Sequence, residues 1–374
     1  MLLMVLGLVV ALGGAVALTR YALARGPMGG TPAGAPLARM QASPQWRGGR
    51  FVNTQPTTLM RPGSLLDTWR MYREPAVRRP TRPIPTQSLP SDFFARRPPG
   101  GLRVTWLGHS AFVVELDGAV ILTDPVLYSR SSPFSWIGAK RFFASPVAIA
   151  DLPELDAVVV SHDHYDHLAM DEIQRLAPRA RRFIVPLGVG AHLERWGVPP
   201  QHIVELDWWE ETTIGDGGNA VRVVFTPARH YSGRGFGRDR TLWASMALIG
   251  PAHRVFYSGD TGLTDELAEV GERLGPFDVA LVKIGAYGRT WPDIHLTPEQ
   301  AVAVQRMVRG KVLIPAHWGT FNLAAHSWYE PAERLVAAAR DSGITAILPL
   351  PGQPVVPDSP PPAVRWWEAV ARTE

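Results

Sequence analysis

Ser161-His162-Asp163-His164-Tyr165-Asp166-His167 follows directly on the apolar run Ala157-Val158-Val159-Val160, and this junction decides how the chain is read. The run is a buried strand. Three imidazoles and a carboxylate packed into the six positions after Ser161 form a metal-ligand cluster at its end. His162 and His164 alternate with the period of extended chain and point the same way, while Asp166 and His167 sit where the chain must turn. Such a geometry serves two cations. Imidazole nitrogen and carboxylate oxygen suit Zn²⁺ best, and Fe or Mn are also compatible because no thiolate is offered.

Working outward, the same arrangement recurs from Leu102 onward. Arg103–Leu107, Ala111–Leu116 and Ala119–Thr123 form a meander with Asp117-Gly118 as a hairpin turn, and the third strand runs into Asp124. Asp171–Leu176 is helical and Arg182–Val185 is a strand. Val221–Thr226 leads to His230, Val255–Tyr257 to Asp260, Val279–Ile284 to Tyr287, and Val312–Ile314 to His317. Chemistry sits at the C-terminal end of each strand. Strands alternating with helices, without a dinucleotide-type glycine fingerprint, predict an α/β chain of two stacked sheets with outer helices.

The set His162-x-His164-x-Asp166-His167, then His230, Asp260 and His317, resembles the metallo-β-lactamase superfamily of di-metal hydrolases. The fold this implies is a four-layer αββα sandwich over residues 101–355. Trp106-Leu107-Gly108-His109-Ser110, Thr123-Asp124-Pro125, Glu205 to Glu210, Phe256 to Gly262, Gly275 to Asp278, Ile284 to Tyr287 and His317 to Phe321 are similar to the N-acylphosphatidylethanolamine-hydrolysing phospholipase D branch. Two departures from that branch stand out: Arg289-Thr290-Trp291-Pro292-Asp293 lacks an Arg-Trp-Phe stretch, and Asp239 stands where Asn is common.

The resemblance implies that His162, His164 and His230 hold one metal, that Asp166, His167 and His317 hold the other, and that Asp260 bridges them. Two Zn²⁺ are the expected cofactors. Cations about 3.5 to 4 Å apart lower the pKa of water to about 7 and clamp the oxygens of an in-line displacement. His295 and Asp166 are the expected catalytic residues, His295 facing the reaction centre and donating to a phosphoryl oxygen or leaving group. Asp124 can accept an N–H from a ligand imidazole and fix its tautomer, and His109 is assigned a similar role. Arg234 and Arg238, in the Gly-rich loop after His230, and Tyr287 are the expected substrate contacts. Trp208, Trp209, Trp243 and Trp318 either line an acyl groove or fill the core.

At 374 residues with 46% apolar content the chain can bury a large core. It has no cysteine, which excludes disulfides, thiolate metal sites and a lipoprotein thiol. Met1 to Leu18 carries no charged side chain and is long enough for a membrane span, so residues 1–19 are read as a single-pass anchor. A cleaved signal peptide is the competing reading, weakened by the absence of Lys or Arg ahead of the apolar run. The arginines that follow place the body on the cytoplasmic face by the positive-inside rule. Residues 20–100 hold 13 Arg against Asp67, Glu74 and Asp92, and their prolines predict an extended basic arm between membrane and body. The chain's net charge of +4 then leaves the remainder acidic by six, which argues against nucleic acid and for an anionic membrane surface and phospholipid substrate as partners. A homodimer stays open. Residues 356–374 are read as a C-terminal tail.

The function expected is a membrane-associated phosphodiesterase of phospholipase D type acting on N-acylphosphatidylethanolamine or a related phospholipid. A metal-dependent lactonase or other acyl hydrolase is the alternative, and a non-catalytic envelope protein is the third reading.

Overall fold

The computed structural model describes residues 26–215, 217–234 and 237–371, with isolated positions among the first twenty. The anchor expected at residues 1–19 lies largely outside the described residues, among which no helix is long and apolar enough to cross a membrane.

Fourteen strands build two seven-stranded sheets. The first sheet contains β1 (Leu102–Gly108), β2 (Ala111–Leu116), β3 (Ala119–Thr123), β4 (Ala157–Val159), β5 (Phe183–Pro186), β6 (Ile203–Leu206) and the late β14 (Pro354–Val355). The second contains β7 (Glu211–Ile214), β8 (Val221–Thr226), β9 (Ser245–Ile249), β10 (Arg254–Tyr257), β11 (Phe277–Lys283), β12 (Gly310–Ala316) and β13 (Thr345–Ala346). Their orders are β6-β5-β4-β3-β2-β1-β14 and β7-β8-β9-β10-β11-β12-β13. In each sheet an antiparallel meander gives way to parallel strands, at β3–β4 and at β10–β11. Parallel strands need crossovers, and all of these but the one from β3 to β4 carry an α-helix. Helices α3 (Met170–Leu176) and α4 (Gly190–Arg195) serve the first sheet, and α5 (Glu266–Leu274), α6 (Pro298–Met307) and α7 (Glu330–Ser342) the second.

The period-two alternation of β2 shows why its residues are all buried. Phe112, Val114 and Leu116 enter the core between the sheets, while Ala111 and Val113 join the outer core under α3 and α4. Two buried faces explain unbroken apolar runs, and they give the αββα layering expected for the β-lactamase fold.

Residues 26–100 follow a different course from the extended arm expected. They form α1 (Gly34–Ala42), α2 (Leu65–Arg73) and a two-residue ladder of Trp46–Arg47 with Arg50–Phe51, and they run across the body. Met40, Phe51 and Ile84 are buried in the main core, and Phe94 in the outer one. Because these anchors come singly, no period marks them in the sequence. Backbone ties complete the attachment: Phe51 N–H to Asp239 C=O, Arg61 N–H to Thr290 C=O, and Gln87 N–H to Pro351 C=O. The expected C-terminal tail is likewise part of the body. Its helix α8 (Trp366–Ala371) buries Trp366, Trp367 and Val370 in the main core.

Candidate metal centre

The strand ends expected to carry chemistry converge on one rim of the sandwich. Asp124, just past β3, organises that rim. It accepts hydrogen bonds from Ser161 N–H at 2.7 Å, Ser161 Oγ at 2.6 Å, His167 Nδ1 at 2.6 Å and the Tyr257 hydroxyl. One buried carboxylate thereby ties β3, the loop after β4 and the end of β10 together. Asp124, His109, Ala286 and His317 have φ between +31° and +61°, a region that non-glycine residues occupy at a cost of order 1–3 kcal/mol, and one that gathers at functional sites.

Six ring nitrogens and two carboxylates face inward here. Ser161 Oγ donates to Asp124, so it accepts from His162 Nδ1 at 2.9 Å, which leaves Nε2 of His162 as the lone-pair nitrogen. His230 Nδ1 donates to Ile294 C=O at 3.0 Å, with the same result. His162 Nε2 and His230 Nε2 then stand 2.8 and 3.3 Å from His164 Nδ1. Three ring nitrogens this close share either a proton or a cation. Nitrogens 2.0–2.1 Å from a tetrahedral zinc lie about 3.3 Å apart, so this triad fits a metal.

The second group surrounds Asp166. Its Oδ2 lies 3.0 Å from His109 Nε2, 3.2 Å from His317 Nε2 and 3.5 Å from His167 Nε2. Asp260 reaches both groups, with Oδ2 3.1 Å from His317 Nε2 and 3.8 Å from His230 Nε2, and Oδ1 3.5 Å from His167 Nε2. His167 Nε2 and Asp260 Oδ1 are buried without a hydrogen-bond partner. Buried polar groups are normally paired, so these orphaned donor atoms again fit a cation. His109, expected to support a ligand, stands close enough to be one itself: its Nε2 groups with Asp166, His167 and His317 as atoms able to share an ion.

The electrostatics divide the histidines: burial lowers His167 too, but Asp260, Asp166 and Asp124 outweigh it and hold that ring well above the ordinary imidazole range, whereas others stay neutral. Burial holds His162 and His230 well below the usual imidazole range, so both are neutral. Burial, with His317 beside it, lowers His109 to about 3. For Asp260, burial pushes the carboxyl up, but His317, Lys283 and His167 outweigh it and hold the group well below the ordinary carboxylate range.

His295, two residues before the cap of α6, lies beside the centre. Its Nδ1 is 3.6 Å from Asp260 Oδ2, and its ring is 5.3 Å from that of His230. Its immediate partner is Lys283, which the sequence reading passed over. Lys283 Nζ contacts His295 Nδ1, donates to Gly285 C=O at 3.0 Å and lies 3.9 Å from Asp260 Oδ1. The side chain is fully buried and burial lowers its pKa to about 8. A lysine closing the otherwise apolar Val279–Val282 run was the available signal. Asp163 was also missed: buried, it accepts from Gly233 N–H at 2.8 Å and so links the metal loop to the loop after His230.

The expected substrate contacts fare differently. Arg234 is buried on the far side of the metal loop, where it donates to Asp163 C=O and Leu168 C=O at 2.6 Å and to Pro27 C=O at 2.9 Å, with its guanidinium over the Tyr165 ring. It braces the loop and does not reach the centre. Arg238 is exposed on the rim. Tyr287 donates to Glu330 at 2.7 Å and stacks on His326, at 4.5 Å between ring centroids. Trp208, Trp243 and Trp318 are buried in the core, and Trp318 and Trp243 also edge the two cavities beside the centre.

Two cavities flank the centre. One reaches His109 and His317, and the other reaches His230 and Tyr231. Segments before residue 100 roof both, through Arg78 in the first and Asn53, Thr57 and Leu59 in the second. Asn53 also brackets the His230 backbone, donating to its C=O at 2.8 Å and accepting from its N–H at 3.1 Å.

Fold and site together define a metal-dependent hydrolase, and residues 120–318 match the model of the β-lactamase superfamily domain. The chain belongs to the metallo-β-lactamase superfamily. An uncharacterized protein of Mycobacterium tuberculosis is 46% identical over 351 residues, covering 90% of this chain and 92% of the relative. N-acyl-phosphatidylethanolamine-hydrolyzing phospholipase D 1 of Caenorhabditis elegans is 38% identical over 263 residues, 67% of this chain and 73% of the relative. Among solved structures, Igni18, a metallo hydrolase from Ignicoccus hospitalis, superposes with a TM-score of 0.52 at 26% identity, covering 68% of this chain and 97% of that one.

Proposed function

We propose that the chain is a phosphodiesterase of phospholipase D type acting on N-acylphosphatidylethanolamine or a related N-acylated phospholipid. The observation that carries this reading is the 38% identity to the Caenorhabditis elegans enzyme over 263 residues, 73% of that enzyme's length. Bound divalent cations supply an activated water and Lewis acidity toward phosphoryl oxygens. His162, His164 and His230 would hold one, Asp166, His167 and His317 the other, and Asp260 both.

The remaining steps belong to side chains. Water adds to phosphorus, the P–O bond to the N-acylethanolamine breaks, and phosphatidic acid keeps the phosphate. His295 stands beside Asp260, where its neutral ring can donate a hydrogen bond to a phosphoryl oxygen or to the leaving oxygen, and the proton given up by the attacking water ends on that leaving oxygen. Lys283 behind it fixes the ring and adds positive charge on the side where negative charge grows. Tyr257, Ser161 and Asp124 keep His167 aimed, so the cluster need not reorganise during reaction.

Hydrolysis of N-acylphosphatidylethanolamine in ¹⁸O-labelled water tests the reading. Label in phosphatidic acid is the expected result. Label confined to a released fatty acid would replace it with acyl-hydrolase chemistry on the same centre.

A further inference from the structure

Helix α2 carries two opposite faces. Ser64, Thr68 and Met71, at i, i+4 and i+7, turn toward the body, where Thr68 Oγ1 meets Thr290 Oγ1 at 3.1 Å. Leu65, Leu66, Trp69 and Tyr72 form the other stripe and point to solvent, with Leu65 78% and Trp69 56% exposed. Met60 adds to it. A soluble surface seldom leaves four large apolar side chains together on one short helix. Between residues 60 and 82, six arginines stand against Asp67 and Glu74, and Arg73 lies over the Trp69 ring at 4.9 Å.

A second exposed apolar tip lies beside the metal loop, near Tyr165 and Met170. In the segment that follows Asp124, Trp136 and Ile137 are exposed, and Phe134 stacks on Trp136 at 5.7 Å. That segment returns to the centre where Phe142 N–H donates to Thr320 C=O, and Thr320 Oγ1 accepts from His109 N–H. Helix α2 is tied to Arg289 and Thr290, in the segment between Lys283 and His295. Both apolar features are thereby joined to segments that reach the metal cluster.

We propose that the α2 stripe and the 134–137 tip dock on an anionic phospholipid bilayer and set the mouth of the metal centre against it. Aromatic and leucine side chains sink to the headgroup boundary while the arginines contact anionic headgroups. A second copy of the chain is a poorer occupant. A two-fold interface pairs each patch with itself, which would bring like charge against like. For its orientation the inference rests on the lipid-hydrolase reading of the same centre, but docking itself involves no turnover.

The absence of cysteine makes the test direct in the full chain. Leu66→Cys, Trp136→Cys and Ser359→Cys each accept one spin label, the last near the start of β11 and β12, far from the rim. With vesicles of phosphatidylcholine containing phosphatidylglycerol, labels at 66 and 136 should lose collisions with an aqueous quencher several-fold and gain collisions with oxygen, while 359 stays unchanged. Pure phosphatidylcholine should leave all three wet. Equal exposure of 66 and 136 with and without anionic vesicles would overturn the proposal. So would shielding of 66 in lipid-free solution that deepens with protein concentration, since that assigns the stripe to a second copy. Turnover is measured separately on detergent-dispersed substrate. Docking without turnover supports this inference while removing the phospholipase reading, and turnover with no docking does the reverse.

Discussion

Asp260 is the side chain on which both candidate metal positions depend. Its oxygens lie within 3.8 Å of His230, His317 and His167, so removing its charge weakens two sites at once. Asp260→Asn should therefore lose both metals together, and His317→Ala chiefly one, as read by elemental analysis of purified protein. Full occupancy with normal turnover in Asp260→Asn would remove the bridging role. A different residue sets a pH dependence away from the centre. Burial raises Glu172 to about 7 from an ordinary 4.5, against the hydrogen bond it accepts from Tyr128 N–H at 2.9 Å. The folded pKa lies above the unfolded one, so the unfolded chain binds fewer protons between these values and stability falls as pH rises through them. Glu172→Gln should stabilise the protein by about 3 kcal/mol at pH 8 and by less than about 1 kcal/mol at pH 5, measured by denaturant titration. An unchanged difference across that range would mean Glu172 does not titrate there.

At the scale of elements, the centre depends on how each strand ends and each helix begins. Helix α6 starts with a capping box: Thr297 Oγ1 accepts from Gln300 N–H, and Gln300 Oε1 accepts from Thr297 N–H at 2.9 Å, with Pro298 at the first helical position. His295 lies two residues upstream, so this cap also fixes the backbone that presents its ring. Thr297→Ala should cost about 1 kcal/mol of stability without changing the denaturant m-value, and should lower kcat while metal content holds. A kcat equal to wild type would show that Lys283 alone positions His295. The departures from the phospholipase pattern also find structural settings. Asp239 has φ of +62°, a conformation that Asn and Asp both tolerate. Asp293 accepts from Thr58 N–H at 2.8 Å and pairs with Arg229 at 3.0 Å, which spends the 289–293 segment on holding residues 56–61 over the centre.

For the molecule as a whole, the buried inward-facing imidazoles make folding and metal binding a linked pair. A cation bound only by the folded state at a thousand times its dissociation constant adds about 4 kcal/mol per site. Chelation should accordingly lower Tm by several degrees, and zinc should restore it; calorimetry with and without EDTA checks this, and an unmoved Tm would show that the cluster is satisfied by itself. The candidate cluster His162 to His167 was legible in the sequence because metal chemistry dictates residue types and a strand end dictates their spacing, whereas His230, Asp260 and His317 were singled out by the family resemblance, each a few residues past a short apolar run. The two-layer sheet architecture was legible too, since strands buried on both faces leave continuous apolar runs. Singly spaced contacts left no such trace. Arg234 looked like a free loop cation, yet its guanidinium is spent on three backbone carbonyls that only the closed chain brings within reach. Residues 26–100 looked like a linker because Met40, Phe51 and Ile84 insert one at a time, and the body whose grooves they fill is made by sequence far downstream. Local pattern by itself determined that His162 to His167 could bind metal and which runs would be strands. Tertiary packing alone decided that Lys283 stands behind His295, that the segments before residue 100 roof the centre, and that α2 turns leucine and tryptophan outward, because these depend on the meeting of surfaces distant in the chain.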